Sequence, residues 1–145
     1  MKGIRFGLLA AGLLLAIGAS VATYPLAASA QTATRMTLTL NEFSILSELP
    51  AVPAGDVTFD VVNTGEDVHE VIVIRSDMDI TALPPSRVRG EVDELSIGEF
   101  VAGFEDVQPA AAASGTVPLT PGRYILLCNL TNHYAKGMVS TLQVD

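Results

Sequence analysis

The sequence predicts an all-β domain, a sandwich or barrel, behind an N-terminal export signal. Two observations after residue 30 carry the β reading. Apolar residues fall in short alternating or β-branched runs bounded by Gly, Pro or Asn turns, and no stretch sustains a long amphipathic helical period. A third observation separates the signal from the domain: a basic start, an apolar run and a small-residue site at Ala28-Ser29-Ala30. The chain therefore divides into a signal segment, 1–30, and one domain, 31–145.

Within the signal segment, Lys2 and Arg5 form the basic region and Phe6 to Val21 is almost unbroken in its apolar character. The domain is expected outside the cytoplasm, in the periplasm or an equivalent compartment. If cleavage did not occur, residues 6–30 would be long enough to anchor it in a membrane. Sixteen acidic residues stand against eight basic ones, a formal net charge of −8, and loss of Lys2 and Arg5 with the signal takes this to −10. So acidic a domain is not expected to bind nucleic acid or an anionic membrane surface. It would be steered toward a basic protein partner, although solubility alone also accounts for surface acids. A monomer is expected.

Arg35 to Leu40 alternates, with Met36, Leu38 and Leu40 on one face, as a half-buried strand does. Ala51 to Asp56, with Pro53 and Gly55, reads as a turn, Val57 to Asn63 as a strand, and Asn63 to Asp67 as a second turn. His69 to Ile74 follows as a strand that is apolar at both parities from Val71, and so buried on both faces. From Arg75 to Gln108 the pattern loosens, and Glu91 to Leu95 suits a short helical turn or a loop equally. Pro109 to Gly115 reads as an alanine-rich turn region and Thr116 to Leu119 as a short strand. Pro121-Gly122 turns into a strand ending at Cys128, and Met138 to Val144 forms the last strand.

One stretch concentrates the chemistry. Cys128, His133 and Met138 lie within eleven residues and include the only cysteine and one of only two histidines; the other, His69, begins a strand. Taken singly, each has an ordinary explanation: a structural histidine, a small buried thiol, a core methionine. Together they suggest a site. Cys128 ends one strand, Met138 begins the next, and His133 lies midway on the loop between them. If the strands of His69 and Cys128 are antiparallel neighbours, both residues fall at the same end of the domain. His69 shares parity with Val71 and Val73, and an inward imidazole needs a partner that a metal would provide. A lone cysteine in an exported domain is an oxidation liability unless it is engaged, and ligation would engage it.

A thiolate, two imidazoles and a thioether suit copper in both oxidation states. Cys128, His69 and His133 would form the strong trigonal set, and Met138 the weak axial ligand. Zinc is the main rival metal, but this set is a poor structural zinc site. The Val68–Ile74 segment, together with Pro121 to Cys128 and the Cys-x4-His-x4-Met spacing that follows, resembles the cupredoxins, the type 1 blue-copper family, with rusticyanin-like spacing. The resemblance spans roughly Thr34 to Asp145, most loosely over 75–108.

That resemblance implies a Greek-key β-sandwich of about eight strands, with one type 1 copper ion on His69, Cys128, His133 and Met138. It also implies that His133 reaches the surface where redox partners dock, with Tyr134, Ala135 and Gly137 either part of that patch or, for Tyr134, packed within the loop. Where many cupredoxins carry Asn after the first histidine, this chain has Glu70, which cannot donate the same hydrogen bond. Asn132 stands where relatives often have Gly, and Asn tolerates left-handed backbone.

The function expected is carriage of single electrons between redox partners such as a c-type cytochrome or a terminal oxidase. The alternative is a periplasmic copper-binding or copper-delivery protein, which the absence of any Met-rich or His-rich tract disfavours. An enzyme is not expected. A Cys128–His133 nucleophile–base pair lacks an evident orienting residue or oxyanion hole, and two histidines cannot furnish additional copper sites.

Overall fold

The computed structural model describes residues 33–145, so the expected signal segment lies outside the described residues. Strand β1 (Thr34–Asn41) follows the sequence pattern, with Met36, Leu38 and Leu40 fully buried and their neighbours turned outward. It forms a hairpin with β2 (Ser44–Ser47) and pairs in parallel with β4 (Gly55–Asn63), which is antiparallel to β7 (Ala112–Leu119). This gives a four-stranded sheet in the order β2-β1-β4-β7.

The second sheet has five strands, ordered β3-β9-β8-β5-β6. They are β3 (Ala51–Val52), β5 (His69–Arg75), β6 (Glu99–Val107), β8 (Gly122–Leu127) and β9 (Val139–Val144). The chain passes repeatedly between the sheets, as a Greek-key sandwich requires. Phe59, Val61, Val71, Val73, Tyr124, Leu126 and Leu142 fill the space between them. Burying such large side chains contributes roughly 1.5–3 kcal/mol each. The Tyr124 hydroxyl donates to the Thr120 carbonyl at 2.8 Å and accepts the Thr120 N–H at 3.1 Å, pinning the entry to β8.

The double-sided burial expected of β5 is explained by a second core. Ile72 and Ile74, with Ile125 and Leu127 of β8, face away from the first sheet and pack against Leu83, Val92 and Ile97. The loosely patterned 75–98 segment is thus a cover over the outer face of the five-stranded sheet. It contains one short helix, α1 (Glu94–Ile97).

Three segments differ from the sequence reading. Ala51 and Val52 are not turn but pair in parallel with Gln143 and Val144, and the Asp145 N–H bonds to the Val52 carbonyl. Residues 112–115 are strand rather than turn: their small side chains leave room for Phe104, whose ring lies 3.1 Å from where a Cβ on Gly115 would stand. Residues 99–107 form an edge strand, paired only with β5.

Candidate metal centre

The antiparallel register of β5 and β8 pairs Ile72 with Leu127, which brings His69 and Cys128 to the same end of the sheet. Cys128 continues the face of Tyr124 and Leu126, so its thiol lies in the inter-sheet core. Both His69 and Cys128 are fully buried. His133 comes from the loop between β8 and β9, and backbone bonds set its position. Its N–H donates to the Leu130 carbonyl at 2.8 Å, and its carbonyl accepts from Lys136 and Met138, each at 3.1 Å. Asn132, at φ 68°, and Gly137, at φ 101°, supply the left-handed turns on either side. The tolerance expected of Asn132 is therefore used.

Three donor atoms converge. The Cys128 Sγ lies 3.3 Å from the His133 Nδ1, and the His69 Nδ1 lies 3.3 Å from the same nitrogen. All three lie within 4.8 Å of one another, a grouping able to hold a metal ion. A three-coordinate plane with bonds of about 2.0–2.3 Å has edges of roughly 3.5–3.7 Å, close to the two 3.3 Å separations at the His133 Nδ1. The residues present therefore fit a small thiophilic ion. Met138 is fully buried in the same core as Cys128, and its carbonyl accepts the Cys128 N–H at 3.1 Å.

Before a metal enters, the electrostatics favour the neutral forms of Cys128 and His133. Burial pushes the Cys128 thiol above its usual range. Burial, and next the neighbouring His69, push His133 below its own. A cation must displace the thiol proton, after which the thiolate is no longer an uncompensated buried charge. His133 is only partly buried, so one imidazole leads from the cluster toward solvent.

Sequence reasoning missed the turn between β1 and β2, which closes over this end of the molecule. The Glu42 Oε1 accepts the Glu66 and Asp67 N–H groups, both at 2.8 Å, and lies 3.1 Å from the His69 Nε2. The Asp67 N–H, first among these bonds, holds the Glu42 pKa down at about 2. The adjacent Phe43 ring meets His133 edge-on at 5.0 Å, and the Lys136 Nζ lies 3.8 Å from its centroid. No local motif announces either contact.

Glu70 does not donate; it accepts. Its carboxylate takes the Asn129 N–H at 2.9 Å, tying the strand of His69 to the residue after Cys128. Burial raises the Glu70 pKa, and this hydrogen bond acts in the opposite direction. The Asn129 side chain accepts the Val92 N–H at 2.8 Å and donates to the Val92 carbonyl at 3.0 Å and to Glu94 at 2.6 Å. Tyr134 serves loop packing: its hydroxyl donates to the Ile80 carbonyl at 2.9 Å, accepts the Leu83 N–H at 3.2 Å, and its ring packs on the second core.

No protein-family model and no curated protein sequence matches the chain. Solved structures do. Auracyanin from the photosynthetic bacterium Roseiflexus castenholzii, reduced with dithionite, superposes with a TM-score of 0.59 at 21% identity, covering 78% of this chain and 98% of that one. An azurin from Methylomonas sp. strain J gives 0.54 at 12% identity, covering 79% and 99%. Rusticyanin from Thiobacillus ferrooxidans gives 0.53 at 18% identity, covering 79% of each. The two sheets and these likenesses define a cupredoxin fold. At the end of that fold sits a His-Cys-His cluster able to hold one metal ion.

Proposed function

We propose that the protein is an exported type 1 copper protein that carries single electrons between redox partners. The observation that carries this reading is the convergence of Cys128 Sγ, His69 Nδ1 and His133 Nδ1 at one buried end of the sandwich. Bound there, copper would supply the one-electron Cu(I)/Cu(II) couple. Cys128 would be the thiolate ligand, His69 and His133 the imidazole ligands, and Met138 the weak axial thioether. Three of the four, His69, Cys128 and Met138, are fully buried, which favours a resident ion over exchangeable cargo. Rusticyanin is described as a copper protein, and auracyanin has been captured reduced.

His133 is the only partly buried member of the set and would be the route for electrons to and from a docked partner. The net charge favours a partner with a basic face, such as a c-type cytochrome or a terminal oxidase. The compartment would be periplasmic or otherwise extracytoplasmic, with the protein free or held by residues 6–30. Among the described residues no helix is long and apolar enough to cross a membrane.

The test is the visible absorption and EPR spectrum of the domain with one equivalent of Cu(II). An intense thiolate-to-copper band with a type 1 EPR signal, bleached reversibly by mild reductant, is expected. Weak, exchangeable d–d absorption without that band would overturn the electron-transfer reading in favour of copper handling.

A further inference from the structure

The metal-binding reading leaves Glu42 without a role, although its carboxylate is the only hydrogen-bonding partner of the far nitrogen of a fully buried histidine among the described residues. We propose that Glu42 is a positioning residue of the centre: it fixes the tautomer of His69 and favours the oxidised state of a metal bound there. The inference rests on the copper reading only for its second part.

The tautomer follows from counting hydrogens. The Glu42 Oε1 accepts two backbone N–H groups at 2.8 Å, from Glu66 and Asp67, so that oxygen acts as an acceptor. The third group facing it, the His69 Nε2 at 3.1 Å, must then donate. A neutral imidazole with hydrogen on Nε2 carries its lone pair on Nδ1, the atom that lies 3.3 Å from the His133 Nδ1. The partner of Nε2 therefore decides which nitrogen is available to the site.

The anchor is stiff where it needs to be. Glu42 sits at the tip of the β1–β2 hairpin, and the turn that follows β4 holds its carboxylate by two main-chain bonds. Gly65 makes room for it: a Cβ at that position would collide with the Glu42 carboxylate. A carboxylate behind a ligating imidazole makes the ring a stronger donor and adds negative charge near the ion, and both effects favour the more highly charged state.

The two parts are tested separately. In metal-free, 15N-histidine-labelled protein, long-range 1H–15N spectra should show His69 as a single Nε2–H tautomer. Glu42→Gln, which retains an acceptor oxygen, should preserve it. Glu42→Ala should give a mixed tautomer. Gly65→Ala, which keeps the charge but displaces the carboxylate, should do the same. An unchanged tautomer in both alanine variants would overturn the positioning role.

With copper bound, Glu42→Ala should lower Cu(II) affinity about 10–100-fold. Glu42→Gln should raise the preference for Cu(I) about tenfold, a rise of about 59 mV in a one-electron potential. Unmoved potentials in both Glu42 variants would overturn the tuning role. If wild-type protein gives no thiolate–copper band, the copper reading fails and the tuning role falls with it, while the metal-free spectra still decide whether Glu42 sets His69.

Discussion

Cys128 and Met138 close the ligand loop on each other through main chain: the Cys128 N–H donates to the Met138 carbonyl at 3.1 Å. Between them, the His133 carbonyl takes the N–H groups of Lys136 and Met138. The spacing of the loop's three candidate ligands is thus set by backbone bonds that need no metal. Holding donors in place beforehand removes most of the ordering cost of binding.

Replacing Cys128 by serine tests that separation of fold from chemistry. The hydroxyl is close in size to the thiol but sits in the apolar core, and an unsatisfied buried polar group costs about 1–3 kcal/mol. The variant should keep the β-sheet circular dichroism of the wild type and lose the thiolate-to-copper band completely. Because Cys128 is the only cysteine, a persistent intense band would show that the band does not arise from a thiolate and would overturn the type 1 reading.

Met138→Leu separates packing from ligation at the other end of the loop. Met138 is fully buried, and volume-conserving apolar exchanges usually cost less than about 1.5 kcal/mol. Chemical denaturation should show a loss within that range. Copper should remain bound while voltammetry records a shifted potential, because in the proposed ligand set only the weak axial donor is removed. Complete loss of copper would mean that the thioether holds the ion rather than merely adjusting it.

Asn129→Ala addresses the cover over the second core. Val92 is 2% exposed, and both its N–H and its carbonyl are satisfied by the Asn129 amide. Removing that amide leaves two buried main-chain groups unpaired, at about 1–3 kcal/mol for each group that stays dry. Hydrogen exchange at the Val92 amide should accelerate well before that of β5 or β8. Unchanged protection at Val92 would show that water or a shifted backbone replaces the amide without loss.

The parts legible in the sequence are those with local signatures. In β1 the alternation of Met36, Leu38 and Leu40 translates directly into burial, and in β5 the run from Val71 to Ile74 correctly predicts two covered faces. The candidate ligands stand out because cysteine and histidine are so scarce in this chain. Strand β6 is obscure because it is an edge strand with Glu99, Phe100, Glu105 and Asp106 all exposed, so neither face carries a clean apolar pattern. Leu83, Val92 and Ile97 belong to one core but follow no helical or strand period. Glu42 meets His69 across 27 positions of chain, and only the pairing of β1 with β4 brings its hairpin to the site.

The four-stranded sheet carries a pH dependence of its own. Asp60 on β4 accepts a hydrogen bond from the Ser114 hydroxyl on β7 at 2.7 Å and pairs with Arg35 on β1, linking three strands across the outer face. The Ser114 bond first, and then Arg35, lower its pKa below the ordinary 3.8. A carboxyl whose folded pKa is depressed binds protons more readily in the unfolded chain, so its contribution is fully present above 3.8 and is lost as pH falls through the lower folded value. Asp60→Asn should therefore be less stable than wild type at neutral pH, and the gap should narrow on acidification below that point. Because the pair is exposed to solvent, added salt should also shrink the gap. Denaturation midpoints of both proteins across this pH range decide the matter: a difference that stays constant would remove Asp60 from the titration.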